Sequence, residues 1–263
     1  NEEIVRTTDS TMEFFTVDEE PIEKESTRID WDINAAEKGG FEHFMLKEMY
    51  EQPKAILDTF SPRIKGDDIV IEELKMSDDE IRAIKKIMIV ACGSANHTGM
   101  TSKYIFEGLA RIPVEVDLAS EFRYRNPILE EGTLVIVVSQ SGETADSLAA
   151  LREAQARGAK VLGIVNVVGS SIAREADNVM YTWAGPEIAV ATTKAYSTQL
   201  IAAYTLAIQF AKIRGQITEE QYAGYIEELQ SIPEKIQRII EDKERLQWFA
   251  SKQANSKDVF FIG

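Results

Sequence analysis

The chain contains one cysteine, Cys92, and two histidines, His43 and His97, in 263 residues. A single thiol excludes an internal disulfide framework and fits a reducing, cytoplasmic compartment. With only two imidazoles beside it, a zinc site built from Cys and His is not expected. Positive charge is also scarce: 29 Lys and Arg stand against 44 Asp and Glu, a formal net charge of −15. That balance argues against a surface for nucleic acid or anionic lipid. It leaves room for a local anion site, which needs only a few donors. No apolar run approaches the roughly 20 residues that span a bilayer. The first residues, NEEIVRTTDS, have no signal-peptide character.

What is present is material for a core, 44% hydrophobic and 28% charged, at a length suited to one or two domains. The middle of the chain alternates strands and helices. Strands are predicted at Ile87–Ala91, Val114–Leu118, Leu134–Val138, Val161–Val165 and Val179–Trp183. They are short and apolar on both faces, as in a parallel sheet covered by helices. Helices are predicted at Thr98–Ala110, Thr144–Arg157, near Ser170–Glu175 and over Ala191–Ile213, with Gly158 and Gly215 as stops. The expected fold is α/β: a three-layer αβα sandwich on a doubly wound, mainly parallel five-stranded sheet, with helical extensions.

The flanks read differently. Residues 1–30 hold short alternating segments such as TMEFFTV, with no evident sheet partner. FEHFMLKEMYEQPKAILDTF reads as an amphipathic helix kinked or restarted by Pro53. From Thr218 to about Gln253 apolar residues recur at helical spacing, with Pro233 as a break. The final SKDVFFIG repeats the grammar of KKIMIVACG, a charged turn, an apolar strand and a glycine, so a second related unit is expected to begin there.

The segment VVSQSGETADSL is the densest in chemistry. In open α/β sheets ligands bind outside the carboxyl ends of strands, where a helix N-terminus offers unpaired N–H groups to an anion. Ser139, Gln140, Ser141 and Thr144 are placed there with several donors, and Gly142 permits close approach. A phosphate could be held without lysine or arginine. The plainer alternative is that Ser141 caps the helix and the rest is turn chemistry.

Other segments leave more open. ACGSANHTG places Gly93 and Ser94 at the same sheet edge but is not G-x-G-x-x-G, which argues against a dinucleotide fold. Cys92 reads as a strand-end residue rather than a nucleophile, and His97 equally well as an exposed helix residue. PEIAVATTKAYSTQ offers Thr192, Thr193 and Lys194 at a helix start, where Thr192 could serve as a cap and Lys194 as a structural lysine. Glu121, Arg123 and Arg125 in SEFRYRN suit a subunit contact or a surface ion pair.

Taken in order and spacing, ACGS, LASEFRYR, VSQSGETADSLAALREA and AGPEIAVATTKAYSTQ resemble the first sugar-isomerase (SIS) domain of the glutamine–fructose-6-phosphate aminotransferases, the glucosamine-6-phosphate synthases. EHFMLKEMYEQP resembles that family's linker helix. The resemblance implies a tail of a glutaminase domain over 1–30, a linker with the first isomerase helices over 31–84, the first SIS domain over 85–215, a helical connector over 216–255 and a second SIS domain starting at 256–263. It implies Ser139, Gln140, Ser141 and Thr144 as phosphate ligands. Ser94 stands where the family usually has threonine, and Ala95 where it often has serine, so one hydroxyl is missing. Val190, through its carbonyl, and Thr192 would lie against the sugar.

For the full-length enzyme the resemblance implies transfer of glutamine-derived ammonia to fructose 6-phosphate and isomerisation to glucosamine 6-phosphate, with no metal or organic cofactor. The glutaminase cysteine and the isomerase lysine, glutamate and histidine fall outside this chain, so no catalytic residue is expected in it. A homodimer is expected, with no nucleic acid and no membrane as partner. Two other classes compete. One is the SIS domain of a sugar-phosphate-sensing transcription regulator, disfavoured because the acidic N-terminal segment does not resemble the basic helix-turn-helix of such proteins. The other is an oligomerisation module in which SQSGET only caps a helix.

Overall fold

Thr8 folds the start of the chain back on itself. Its hydroxyl accepts from the amides of Ser10 (3.4 Å) and Thr11 (3.0 Å), and its own amide donates to the Thr11 carbonyl (2.9 Å). This turn pairs β1 (Glu3–Thr7) antiparallel with β2 (Met12–Thr16), which pairs in turn with β3 (Pro21–Ile22). TMEFFTV therefore has a strand on each side, contrary to the expectation of no partner. The hydroxyl-rich turn TTDST brings the first one back. These strands form a unit of their own, Asn1–Trp31; the second unit is Asp32–Gly263. The computed structural model describes residues 3–24 and 37–260.

The second unit opens with α1 (Phe44–Phe60), a hairpin of β4 (Ile64–Lys65) and β5 (Asp68–Ile69), and α2 (Asp78–Ala83). Pro53 lies inside α1 without interrupting it. Lys47 and Glu48 before it and Ala55, Ile56, Thr59 and Phe60 beyond it are buried, and that burial offsets the cost of the proline. A reciprocal cap starts α2: the Ser77 hydroxyl accepts from Glu80 N (3.3 Å), and the Glu80 carboxylate accepts from Ser77 N (2.8 Å).

Strands and helices then alternate: β6 (Lys86–Ala91), α3 (Ser94–Leu109), β7 (Val114–Leu118), α4 (Ala119–Phe122), β8 (Thr133–Ser139), α5 (Ala145–Ala156), β9 (Lys160–Val165), α6 (Ser171–Glu175), β10 (Asn178–Tyr181) and α7 (Lys194–Ile213). The five strands β6 to β10 are all parallel, in the order β10-β9-β8-β6-β7. All five expected strands are present. The last stops at Tyr181 because Trp183 has a left-handed φ of 52°, which no strand accepts.

Period-2 alternation explains the layers. Ile87, Ile89 and Ala91 of β6, with Leu134, Ile136 and Val138 of β8, join a core shared with α3 and α7. Met88, Val90, Val135 and Val137 face the other way, into a core with Phe122, Ala150, Leu151 and Ile172. Both faces are thus covered, as a parallel sheet requires.

After α7 come α8 (Glu219–Glu241) and α9 (Lys243–Gln253). The expected break at Pro233 is absent. Tyr222, Ile226 and Leu229 are buried, and Ile232 and Ile236 pack on the same core, so the apolar face runs straight through the proline. The helix is interrupted instead at Asp242. The strand expected in SKDVFFIG is not formed by the described residues up to Phe260, and Val259 and Phe260 are exposed. Residues 261–263 of that segment lie outside the described residues.

Candidate functional site

The strand order reverses direction between β6 and β8, because β7 turns outward on one side and β9 on the other. At such a switch point the loops leaving the two central strands diverge and open a crevice at their carboxyl ends. A cleft of about 270 Å³ lies there. Ser94, Ser139, Gln140, Ser141, Thr144, Val190 and Thr192 all line it, together with Cys92, Ala95, Glu187 and Gln199. The seven residues singled out in the sequence are therefore brought together in space.

Each loop has a local reason for its shape. Gly93, between β6 and α3, has φ 58° and ψ −134°, a conformation open to glycine. It places Ser94 at the first turn of α3, whose N-terminus carries no side-chain cap. After β8, the Ser139 hydroxyl accepts from Gly142 N (3.0 Å) and lies 3.1 Å from the Thr144 hydroxyl. Gly142 has φ 66°, and its carbonyl accepts from Ile172 N at 3.0 Å. The Gln140 carbonyl accepts from Asn166 N at 3.1 Å, so this loop is tied to the next one along the sheet.

The capping role considered for Ser141 is not what forms. Its hydroxyl accepts from Glu143 N (3.2 Å), and α5 begins four residues later, after Thr144. The Thr144 side chain does not cap the helix either. The N-termini of α3 and α5 thus both reach the cleft without a side chain covering their amides, and the positive ends of two helix dipoles remain available.

Charge is arranged around this opening rather than in it. No lysine or arginine is among the described residues lining the cleft, and Glu187 is the one carboxylate there. Its Oε1 accepts from Thr193 N (3.0 Å) and Ala195 N (3.2 Å), and its Oε2 from the Thr192 hydroxyl (2.9 Å). Glu187 therefore caps α7, the task considered for Thr192, and its charge is spent on that helix end. Glu143, the acid of SQSGET, accepts from Ser171 N at 2.7 Å. Bonds from the Ser171 hydroxyl and amide hold its carboxyl below the usual range. Asp146 in the first turn of α5 pairs with Arg123 (2.7 Å), which raises the Arg123 pKa.

The remaining residues fall as follows. Cys92 is half-buried at the end of β6, with the Ser147 hydroxyl 4.0 Å from its sulfur. His97 is exposed on α3 and does not line the cleft. Lys194 is buried and paired with Glu51 at 2.6 Å. Arg125 pairs with Asp117 (2.5 Å), and Glu121 is exposed. Sequence reasoning overlooked Gln199, whose amide oxygen accepts from the buried Thr98 hydroxyl (3.0 Å), and Glu48 and Glu51 on α1. No motif marks these, because their partners are more than 100 residues away in the chain. Among the described residues there is no cluster of three or more His, Cys, Asp or Glu able to hold a metal, and no helix is long and apolar enough to cross a membrane.

Comparison with known proteins converges on the same region. The model of a family described as SIS domain matches residues 80–209. A glutamine–fructose-6-phosphate aminotransferase (isomerizing) of Clostridium acetobutylicum is 53% identical over 264 residues, covering 100% of this chain and 43% of that protein. One from Methanosarcina acetivorans is 46% identical over 97% of this chain and 41% of its own length. The chain thus spans less than half the length of these relatives. Among solved structures, the C-terminal domain of glucosamine-fructose-6-phosphate aminotransferase from Francisella tularensis superposes with a TM-score of 0.79 at 37% identity, covering 83% of this chain and 61% of that one.

Proposed function

The chain belongs to the SIS-domain family, as part of the SIS-containing region of the glutamine–fructose-6-phosphate aminotransferases, and from that premise we propose that its cleft grips the phosphate of fructose 6-phosphate or glucosamine 6-phosphate. The observation that carries this reading is the convergence of Ser94, Ser139, Ser141 and Thr144, the Gln140 amide and two helix N-termini without side-chain caps at one switch point. Neutral donors and backbone N–H groups suit a phosphate dianion, and hydrogen bonds to a charged group are the stronger kind. Ala95 adds no hydroxyl, so the grip rests on the other side chains. The Val190 carbonyl and Thr192, from the loop between β10 and α7, contact the sugar.

In a longer enzyme this chain serves as a binding half. There, ammonia released from glutamine is transferred to fructose 6-phosphate, and the adduct is isomerised to glucosamine 6-phosphate. Moving a proton between adjacent carbons requires a base. In this cleft the Glu187 carboxylate is committed to the end of α7, and Lys194 is committed to Glu51. Both facts support binding rather than catalysis. We further propose that two copies associate about a two-fold axis.

The test is thermal unfolding with fructose 6-phosphate against fructose. The phosphate ester stabilises the chain, by about 2.7 kcal/mol at a concentration near 100 times the dissociation constant, and fructose does not. Identical unfolding curves with both sugars would remove the site.

A further inference from the structure

The loop between β10 and α7 forms one wall of the cleft through Glu187, Ala189, Val190 and Thr192. It is held from behind by α1. Glu48, only 2% exposed, accepts through a single oxygen, Oε1, from Ile188 N (2.7 Å) and Ala189 N (3.0 Å). One turn further along α1, Glu51 binds Lys194, and the Gln52 amide oxygen accepts from the Ser197 hydroxyl at 2.5 Å. Positions 48, 51 and 52 share one helix face, so the same face of α1 grips the loop and the start of α7.

Two carboxylates therefore clamp this wall. Glu187 fixes its α7 end from within, and Glu48 fixes its middle from another element. The residue immediately after the clamped amides is Val190, whose side chain is fully exposed at the rim. A buried carboxylate is costly to keep. Oε2 of Glu48 is buried with no partner among the described residues, and the bonds that Glu48 makes serve only the loop.

We propose that Glu48 is a positioning residue for the cleft: it sets the height of the Ile188–Ala189 backbone and thereby presents the Val190 carbonyl and Thr192 to a sugar phosphate. The proposal rests on reading the cleft as a sugar-phosphate site. It assigns to α1, which lines none of the cleft, control over how well the cleft binds. Charge-assisted hydrogen bonds are roughly twice as strong as neutral ones. A neutral acceptor of the same length preserves the geometry, whereas loss of the acceptor does not.

The experiment compares the 263-residue chain with its Glu48→Ala and Glu48→Gln variants. Fructose 6-phosphate affinity is measured by calorimetry, and amide hydrogen exchange at Ile188 and Ala189 is measured without ligand. Glu48→Ala should weaken binding at least fivefold and speed exchange at those two amides at least tenfold, with β8 amides unchanged. Glu48→Gln, which keeps the acceptor oxygen without the charge, should fall between the wild type and Glu48→Ala in both. Wild-type affinity and exchange in Glu48→Ala would overturn the proposal, as would equal losses in the two variants. If the unaltered chain binds no sugar phosphate, the functional reading falls and the exchange measurement alone decides the positioning role. Should Glu48→Ala fail to fold, Glu48→Asp, which withdraws the carboxylate by one methylene, carries the same comparison.

Discussion

The hydroxyls of Ser139 and Thr144 lie 3.1 Å apart, closing the SQSGET turn across its mouth. Ser139 also accepts from Gly142 N, so it organises the turn. Ser141 accepts from Glu143 N and so keeps its hydroxyl proton for a ligand, and Thr144 keeps its own when Ser139 donates the bond between them. Replacing Ser141 or Thr144 with alanine should weaken sugar-phosphate binding by about 1–3 kcal/mol each, the range for hydrogen bonds to a charged group. Each variant loses one local bond as well, so unfolding is measured beside calorimetry. Unchanged affinity in both would sink the phosphate assignment.

Gly142 should not tolerate a side chain. A Cβ there would sit 2.0 Å from the Ser170 hydroxyl oxygen, and φ 66° disfavours any L side chain. Ser170 is 3% exposed and has little room to withdraw. Gly142→Ala should lower stability by about 1–3 kcal/mol, read from the urea midpoint. A wild-type midpoint with intact binding would mean that the turn relaxes freely.

Much of this site was legible because its chemistry is local. Hydroxyls and glycine at a strand-to-helix junction declare both a loop and its position at a sheet edge, so Ser139 to Thr144 could be found without knowing the strand order. The order itself, with β7 beside β6 and the crevice between β6 and β8, depends on long-range pairing that no short segment encodes. For the same reason nothing in the amphipathic pattern of α1 singles out Glu48, whose partners Ile188 and Ala189 lie far along the chain. The prolines misled in the opposite sense. Local propensity favoured a kink or restart at Pro53 and a break at Pro233; burial on both sides of Pro53, and burial before Pro233 with Ile236 packed on the core beyond it, overrode it. The cap that starts α2 has a local signal in SDDE, where serine precedes glutamate by three residues, and sequence reasoning overlooked it.

Acid should expose one tether of the fold. Glu80 accepts from Lys160 and from the Ser77 amide and hydroxyl, in that order of influence, and these bonds lower its pKa from 4.5 to about 2. A carboxyl with a depressed pKa contributes its stabilisation above its unfolded value, and the contribution fades as pH falls from about 4.5 toward 2. Urea unfolding of the wild type and Glu80→Gln at about pH 5 and about pH 3 checks this. The wild type should lose more stability between the two than the variant does, and equal losses would show that the Lys160 contact contributes nothing.

The proposed self-association is expected at the segment around Arg123 rather than on α7. The apolar surface of α7 invites a subunit contact, yet Ala202, Ala203, Leu206, Ala207, Phe210 and Ala211 are already buried, with α1, α3 and α8 packed around them in the same chain. Arg123 and Arg125 pair with Asp146 and Asp117, surface bonds worth about 0–1 kcal/mol that leave little charge for a partner to satisfy. What that stretch still offers is apolar: Leu118 is 42% exposed, Tyr124 76% and Ile128 81%. Exposed apolar residues gathered in one segment favour association, and a two-fold dimer is the simplest closed arrangement. Sedimentation equilibrium over a wide concentration range should show a dimer, and Tyr124→Asp combined with Ile128→Asp should shift it to monomer without changing unfolding of the subunit. A monomer at high concentration would defeat the dimer. A dimer that persists in the double variant would move the interface elsewhere, with the exposed Ile239, Leu246, Trp248 and Phe249 of α8 and α9 next to be altered.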